Sequence, residues 1–209
     1  MSYDVCVIGL GRIGLPLALS FADAGLSVLG VDNDTERLAI LRERRMPFKE
    51  PGTDELIARV ELDLSSHAVD AAKADAIVLT LGTPALPHVE IDMGAIRAVL
   101  DDLLPVLRRD HLLVLRSTVA PGTTEFVAGY LEKQRGFTVG EDLFVAHVPE
   151  RIAADKFLEE IGTLPCIVGG VGEHSAERAA RLFEPLGAPI VQTTPVQAEL
   201  AKIWANILR

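Results

Sequence analysis

A glycine-rich turn between two apolar stretches constrains this chain more than any other feature of its sequence. The first stretch leads into Gly9-Leu10-Gly11-Arg12-Ile13-Gly14, and the second, residues 28–31, is followed by Asp32. This order predicts a strand, a Gly-x-Gly-x-x-Gly turn, a helix and a second strand that ends at an acid. The whole unit is typical of a dinucleotide-binding fold.

Each glycine of this turn has a separate physical task. Gly9 permits the tight turn, Gly11 lets the backbone approach a pyrophosphate, and Gly14 lets the helix pack closely against the strand. The N-terminus of that helix offers free N–H groups and the positive end of its dipole to the phosphates.

Asp32 favours NAD over NADP as the cofactor. It follows Gly14 at close to the ~20-residue spacing at which a carboxylate accepts hydrogen bonds from the adenosine ribose. The same carboxylate would repel a 2′-phosphate. The alternative is a glycine-rich turn in another kind of α/β protein, and the motif by itself identifies a cofactor rather than a reaction.

Composition limits the classes of partner. The chain has 209 residues, 49% of them apolar, and a net charge of −10, which disfavours nucleic acids and anionic membrane surfaces. No apolar run approaches the roughly 20 residues of a membrane span. Because the first predicted strand begins so early, we also expect no signal peptide. Cys6 and Cys166 lie in apolar stretches, so we expect buried, reduced thiols and a cytoplasmic protein. The histidines show no metal-ligand spacing, so no metal site is expected.

Short apolar stretches alternate with helical periodicity along the chain, which predicts an α/β fold with a doubly wound, mostly parallel sheet. The predicted strands are residues 5–9, 27–32, 76–80, 112–116, 143–146, 166–168 and 190–192, with a weaker one at 61–64. The predicted helices are residues 13–24, 35–44, 93–107, 123–134 and 175–186.

The last segment predicts a further helix. Thr194 can cap it, Pro195 suits its first turn, and Gln197 completes a capping box. We therefore expect an NAD-binding domain over residues 1–194 and the start of an interdomain helix over 195–209. An apolar stripe on this helix requires a partner; it consists of Val196, Leu200, Ile203, Trp204, Ile207 and Leu208.

Polar residues follow several predicted strands, where the cofactor crevice should open. The hydroxyls of Thr83 and Thr118 could bond the ribose or a phosphate, or they could merely cap the following turns. Glu150 and Arg151 could steer a water and pair with a substrate phosphate, or they could form an ordinary surface ion pair.

Three polar residues share one face of the last helix. Lys202, Asn206 and Arg209 stand at i, i+4 and i+7, opposite the apolar stripe. The simpler interpretation of this face is that it is merely solvated.

Taken together, these segments resemble the UDP-glucose/GDP-mannose dehydrogenase family, the nucleotide-sugar dehydrogenases. The matching segments are residues 9–16, 30–32, 50–52, 83–84, 116–124, 149–151 and 198–202, with Asn206 and Arg209. The Arg-Ser-Thr-Val and Pro-Glu-Arg segments resemble the N-acetylated branch, which includes UDP-N-acetylmannosamine dehydrogenase.

This resemblance implies a Rossmann-type domain from an enzyme that oxidises the C6 alcohol of a UDP-sugar to a carboxylate with two NAD, for polysaccharide biosynthesis. It implies a homodimer for the full-length enzyme. By the same resemblance, NAD would contact six residues beside the glycines of the turn: Arg12, Ile13, Asp32, Arg37, Thr83 and Thr118. Glu150, Arg151 and Ile152 would lie by the sugar. Lys202 would be the general acid/base or oxyanion stabiliser. Asn206 would hold the oxyanion or a water, and Arg209 would contact the substrate.

The chain also departs from the family. Arg12 stands where the family often has Tyr, and Ala153-Ala154-Asp155 replaces a Pro-Gly or Glu-Gly continuation. Neither Cys6 nor Cys166 matches the motif of the family's cysteine nucleophile, so we expect the chain to be inactive alone.

Two other functions stay open at this point. One is a different Rossmann dehydrogenase, of the 3-hydroxyacid or 6-phosphogluconate type, which also pairs such a domain with a helix that carries Lys and Asn. The other is a non-catalytic NAD-binding module.

Overall fold

An eight-stranded sheet forms the centre of the molecule. The computed structural model describes residues 2–83, 93–153 and 155–208. The strand order is β3-β2-β1-β4-β5-β6-β7-β8. The strands are β1 Tyr3–Ile8, β2 Val28–Val31, β3 Asp63–Ser65, β4 Ala74–Leu79, β5 Leu112–Leu115, β6 Phe144–His147, β7 Cys166–Gly170 and β8 Ile190–Thr193. Neighbouring strands are parallel except for β6 and β7, which are antiparallel.

Helices cover both faces of this sheet. They are α1 Gly14–Asp23, α2 Thr35–Arg42, α3 Thr53–Arg59, α4 Gly94–Leu103, α5 Thr123–Arg135, α6 Phe157–Glu160, α7 Glu173–Phe183 and α8 Pro195–Ile207. Short 3₁₀ turns span Ala68–Lys73 and Glu184–Leu186. Over the ranges that the structure describes, no helix is both long enough and apolar enough to cross a bilayer.

Two apolar cores result, one on each face. Alternate residues of the strands point to opposite sides: in β5, Val114 packs into the first core and Leu113 into the second. Helices α1 and α7 close the first core, where the rings of Phe21 and Phe183 pack edge to face with centroids 5.3 Å apart. Helices α4 and α5 close the second core. This layering explains why the strands are apolar throughout.

The predicted fold class is confirmed, including all eight strands. The pattern did not predict α3, α6 or the 3₁₀ turn over Ala68–Lys73, because these elements are short. Several helix ends also differ: α4 ends at Leu103 rather than near residue 107. Cys6 is fully buried as expected, whereas Cys166, the first residue of β7, is partly exposed rather than buried.

The carboxyl ends of four neighbouring strands lie together at one end of the sheet. Strands β1, β4, β5 and β6 lie side by side and parallel, so their carboxyl ends meet at a common edge. The chain order reverses between β1 and β4, and ligands of open α/β sheets bind at such a switch point.

Candidate functional site

A cleft opens at this switch point between the ends of β1, β2 and β4. It encloses a cavity of about 550 Å³, a size suited to a cofactor. Its lining includes Gly9, Gly11, Asp32, Arg37, Thr80 and Gly82. The glycine turn and the acid that the sequence singled out therefore share one cleft.

Within the glycine turn, Gly11 has free space around it, whereas Gly14 is tightly packed against the backbone. Gly9 has φ +98°, a conformation that L side chains rarely adopt. A Cβ on Gly11 would meet nothing within 4 Å, whereas a Cβ on Gly14 would lie 1.9 Å from the Gly9 carbonyl oxygen. Thr80 closes the turn, because its hydroxyl donates to the carbonyl oxygens of Ile8 and Gly9 at 3.0 and 2.7 Å.

Asp32 is held in place by three donors. Its Oδ2 accepts from the Leu10 N–H at 2.7 Å and pairs with Arg37 Nη1 at 2.7 Å, and its Oδ1 accepts from the Asp34 N–H at 2.9 Å. A carboxylate has about four acceptor positions, so capacity for a ribose hydroxyl remains. Arg37 also reaches Asp34 at 3.2 Å. Two of the predicted cofactor contacts, Asp32 and Arg37, thus form one charged pair at the cleft.

Arg12 and Ile13 follow Gly11 at the start of α1. The exposed Arg12 guanidinium lies 5.5 Å from the centre of the Phe48 ring. Ile13 is partly buried and packs against the first core. Both residues are in the turn, and their backbone N–H groups belong to the end of the helix that favours anions.

Thr83 and Thr118 belong to two loops that are joined by a hydrogen bond. The hydroxyl of Thr83 donates to the Thr118 carbonyl oxygen at 2.7 Å. Thr83 therefore connects the loop after β4 to the loop after β5, rather than capping its own turn. Pro84, the next residue of the predicted motif, lies outside the described residues.

Glu150 differs from the surface ion pair considered above. Its side chain is 6% exposed and pairs with Arg116, itself 4% exposed, rather than with its neighbour Arg151. Glu150 Oε1 also accepts from the Ile152 N–H at 2.6 Å. Burial and the parallel order of β5 and β6 explain this partner, because both residues follow the carboxyl ends of these strands.

Arg116 was not among the predicted site residues. Its Nη1 donates to the Val148 carbonyl oxygen at 3.3 Å, and its guanidinium lies 5.2 Å from the centre of the Phe183 ring. A charged residue that directly follows an apolar strand was the signal that could have identified it.

A small second cavity, about 30 Å³, lies behind the Pro149–Arg151 segment and is lined by Arg116, Glu150 and Cys166. It has room for about one or two waters. Burial raises the pKa of the Cys166 thiol, which disfavours the nucleophilic thiolate. Arg151 donates to the Pro165 carbonyl oxygen at 2.7 Å.

Helix α8 carries Lys202 and Asn206 along the line of its buried residues, and the exposure of that line rises towards the C-terminus. The buried residues of α8 are Pro195, Ala198 and Glu199. Helical spacing places Lys202 and Asn206 in line with Ala198 and Glu199. Lys202 is partly buried and Asn206 is exposed. Arg209 lies outside the described residues.

Opposite this face, most of the predicted apolar stripe is exposed, with Trp204 59% and Ile207 67% accessible.

Comparison with protein families identifies the class. Residues 3–187 match the model of the NAD-binding domain of the UDP-glucose/GDP-mannose dehydrogenase family. The chain therefore belongs to this family, and NAD is its cofactor. The site fits NAD on its own geometry, because Gly11 leaves open space at the helix N-terminus and Asp32 retains an acceptor position in the same cleft.

Two relatives show which members of the family this chain resembles. The chain is 32% identical to a UDP-N-acetyl-D-mannosamine dehydrogenase from Methanococcus maripaludis, over 99% of this chain and 49% of the relative. It is 33% identical to an NDP-N-acetyl-D-galactosaminuronic acid dehydrogenase from Ralstonia solanacearum, over 98% of this chain and 51% of the relative.

Among solved structures, the UDP-N-acetyl-D-mannosamine dehydrogenase from Pyrococcus horikoshii superposes with a TM-score of 0.93 at 30% identity, over 98% of this chain and 50% of that one. The predicted resemblance is thus confirmed. The chain spans about half the length of the relatives that it matches.

Proposed function

We propose that this chain is the cofactor half of an enzyme that oxidises the C6 alcohol of a UDP-sugar, UDP-N-acetylmannosamine by preference, to the uronate with two NAD. The observation that carries the proposal is the docked face of α8. It runs from the buried Glu199 to the partly buried Lys202, with the exposed Asn206 one turn further on, beside a domain whose cleft fits NAD.

Alcohol oxidation requires two things of these residues. When bound, NAD accepts the hydride that leaves the carbon. The hydroxyl proton must leave as well, and Lys202 is the residue that we assign to accept it or to stabilise the alkoxide by its charge. Asn206, one turn further along the same face, would hold the oxyanion or a water.

The buried Glu150 has a different task from the one first considered. Its Oε2 is engaged by Arg116 and its Oε1 by the Ile152 N–H. We therefore assign Glu150 to shaping the segment that contains Arg151 and Ile152, the residues proposed to lie by the sugar. Glu150 retains acceptor positions for a water.

We further propose that this chain is inactive alone and that the complete enzyme is a homodimer. Burial raises the pKa of both thiols, at Cys6 and Cys166, and neither faces the cofactor cleft. Neither is therefore suited to the second oxidation, which requires a thiolate nucleophile. The exposed apolar side of α8 is available for a second subunit.

The test is a substrate panel with the complete product of the gene that encodes this chain. UDP-N-acetylmannosamine should yield two NADH for each uronate formed, and Lys202→Met should lower kcat by about 10²–10⁴-fold, with little change in the affinity for NAD. Lys133→Met on α5 is the matched control, because it removes a lysine from an exposed helix position.

Two results would reject this function. The first is turnover of 3-hydroxyacids with none of nucleotide sugars. The second is NAD binding without turnover of any alcohol by the complete protein, which would favour the non-catalytic module.

A further inference from the structure

Glu199 is a fully buried carboxylate on α8, one turn before Lys202. Its Oε2 accepts from the Gly122 N–H at 2.6 Å, and its Oε1 accepts from the Thr124 N–H at 2.8 Å and the Thr124 hydroxyl at 2.5 Å. A buried charge is costly unless it is paired or hydrogen-bonded. These three bonds explain how the charge is tolerated.

The donors lie at the N-terminus of α5, and this helix has no cap of its own. Its N-cap residue is Gly122, which offers no side-chain oxygen. The first N–H groups of a helix require acceptors, and a negative charge there is favoured by the helix dipole. Glu199 thus caps α5 from a different helix, 75 residues away in sequence from Thr124.

The buried contacts of α8 lie in its first two turns. Only Pro195, Ala198 and Glu199 are buried among the described residues of α8. The first turn is fixed by close packing on β7, since a Cβ on Gly169 would lie 2.8 Å from the Ala198 Cβ. One step further along the helix, the polar contact of Glu199 replaces apolar packing.

The end of α5 that Glu199 caps continues directly from the loop that contains Thr118. The backbone of that loop accepts the Thr83 hydroxyl at 2.7 Å. A short connected route therefore runs from the loops assigned to NAD, through Gly122 and Thr124, to Glu199 and then to Lys202.

We propose that Glu199 is a positioning residue that couples NAD binding to the placement of the helix that carries Lys202. This inference rests on the proposed function for the role of Lys202, but not for the coupling itself. Ordering of the Thr118 loop by NAD stabilises the N-terminus of α5, and Glu199 transmits that order to α8.

The first experiment measures hydrogen exchange of the backbone amides of α8 in the 209-residue chain, with and without saturating NAD. NAD should slow exchange in the wild type by roughly 5–150-fold, the range of typical coupling free energies. Glu199→Ala should abolish this NAD-dependent slowing. Glu199→Gln, which keeps one acceptor oxygen, should retain part of it.

Glu125→Gln is the matched control, because Glu125 is an exposed acid in the first turn of the same α5 helix. It should behave as the wild type. The same NAD-dependent slowing in Glu199→Ala and in the wild type would overturn the proposal, as would no slowing in the wild type.

The second experiment uses the complete gene product with UDP-N-acetylmannosamine. Glu199→Gln should lower kcat at least about tenfold, a loss of ~1.4 kcal/mol, with the KM for NAD changed much less. Unchanged kcat would overturn the positioning role. If the wild type oxidises no nucleotide sugar, the proposed function fails, and the exchange experiment still decides the coupling.

Discussion

Gly11 and Gly14 lie in the same turn, yet the structure predicts opposite consequences when each is replaced by alanine. A methyl group at Gly11 would meet nothing within 4 Å, and one at Gly14 would lie 1.9 Å from the Gly9 carbonyl oxygen and 2.3 Å from Thr80 Oγ1. Gly14 is therefore required by the fold, whereas Gly11 is required only by a ligand.

The magnitude for Gly14→Ala follows from these contacts. The new carbon would lie more than an ångström inside normal contact with the backbone of Gly9, and overpacking of this kind costs about 1–3 kcal/mol or more. Displacing Thr80 would weaken the donation of its single hydroxyl proton, which is shared between the Ile8 and Gly9 carbonyl oxygens and worth about 1 kcal/mol. Alanine's better helix propensity returns up to about 1 kcal/mol. We expect a net loss of roughly 1–3 kcal/mol from these terms.

Gly11→Ala should leave the free energy of unfolding within about 0.5 kcal/mol of the wild type, as for surface substitutions. The methyl group would stand in the space through which a pyrophosphate approaches the backbone. NAD affinity should fall at least about tenfold, which corresponds to about 1.4 kcal/mol.

Urea unfolding and isothermal titration calorimetry with NAD measure the two quantities separately. Gly129→Ala is the control, because Gly129 is an exposed glycine within α5 with nothing within 4 Å of its Cβ position. It should bind NAD normally and be as stable as the wild type or more so. Normal NAD binding by Gly11→Ala, or wild-type stability of Gly14→Ala, would refute the reasoning.

Two further predictions concern buried ionisable groups. Arg116→Met removes the partner of the buried Glu150 and should destabilise the fold by about 3–5 kcal/mol in urea unfolding, with part of the loss restored when Glu150→Gln is added; a loss below 1 kcal/mol would contradict this. Burial lowers the pKa of His147 to about 4 from 6.5, so the native state binds fewer protons than the unfolded state between these values, and stability should fall as pH drops through that window. His147→Leu should flatten the slope of unfolding free energy against pH in that window. The slope that remains should come from His111, whose pKa burial also lowers to about 4. An unchanged slope would contradict the assignment.

The overall fold could be predicted from the sequence because its strands are buried on both faces. Apolar stretches such as residues 112–115 are therefore nearly continuous and easily recognised. The glycine turn and Asp32 could be placed in one cleft for a similar reason, since their spacing reflects local geometry within a single βαβ unit.

Contacts between distant segments could not be predicted in the same way. Nothing near Glu150 in sequence indicates Arg116 as its partner, and nothing near Glu199 indicates that it caps α5. Both contacts depend on which strands and helices become neighbours. The short helices α3 and α6 were missed because one or two turns leave no measurable periodicity.

The cofactor site is tested most directly by calorimetric titration of this chain with NAD and with NADP, alongside Asp32→Ala. Asp23→Ala, which removes an acid paired with Arg59 outside the cleft, is the control. NAD should bind at least about tenfold more tightly than NADP. Asp32→Ala should lower the affinity for NAD and reduce the preference over NADP, because the carboxylate that repels the 2′-phosphate is removed and Arg37 loses its partner. Equal affinities for NAD and NADP in the wild type, or an Asp32→Ala variant that binds NAD as the wild type does, would contradict the assignment of the cleft.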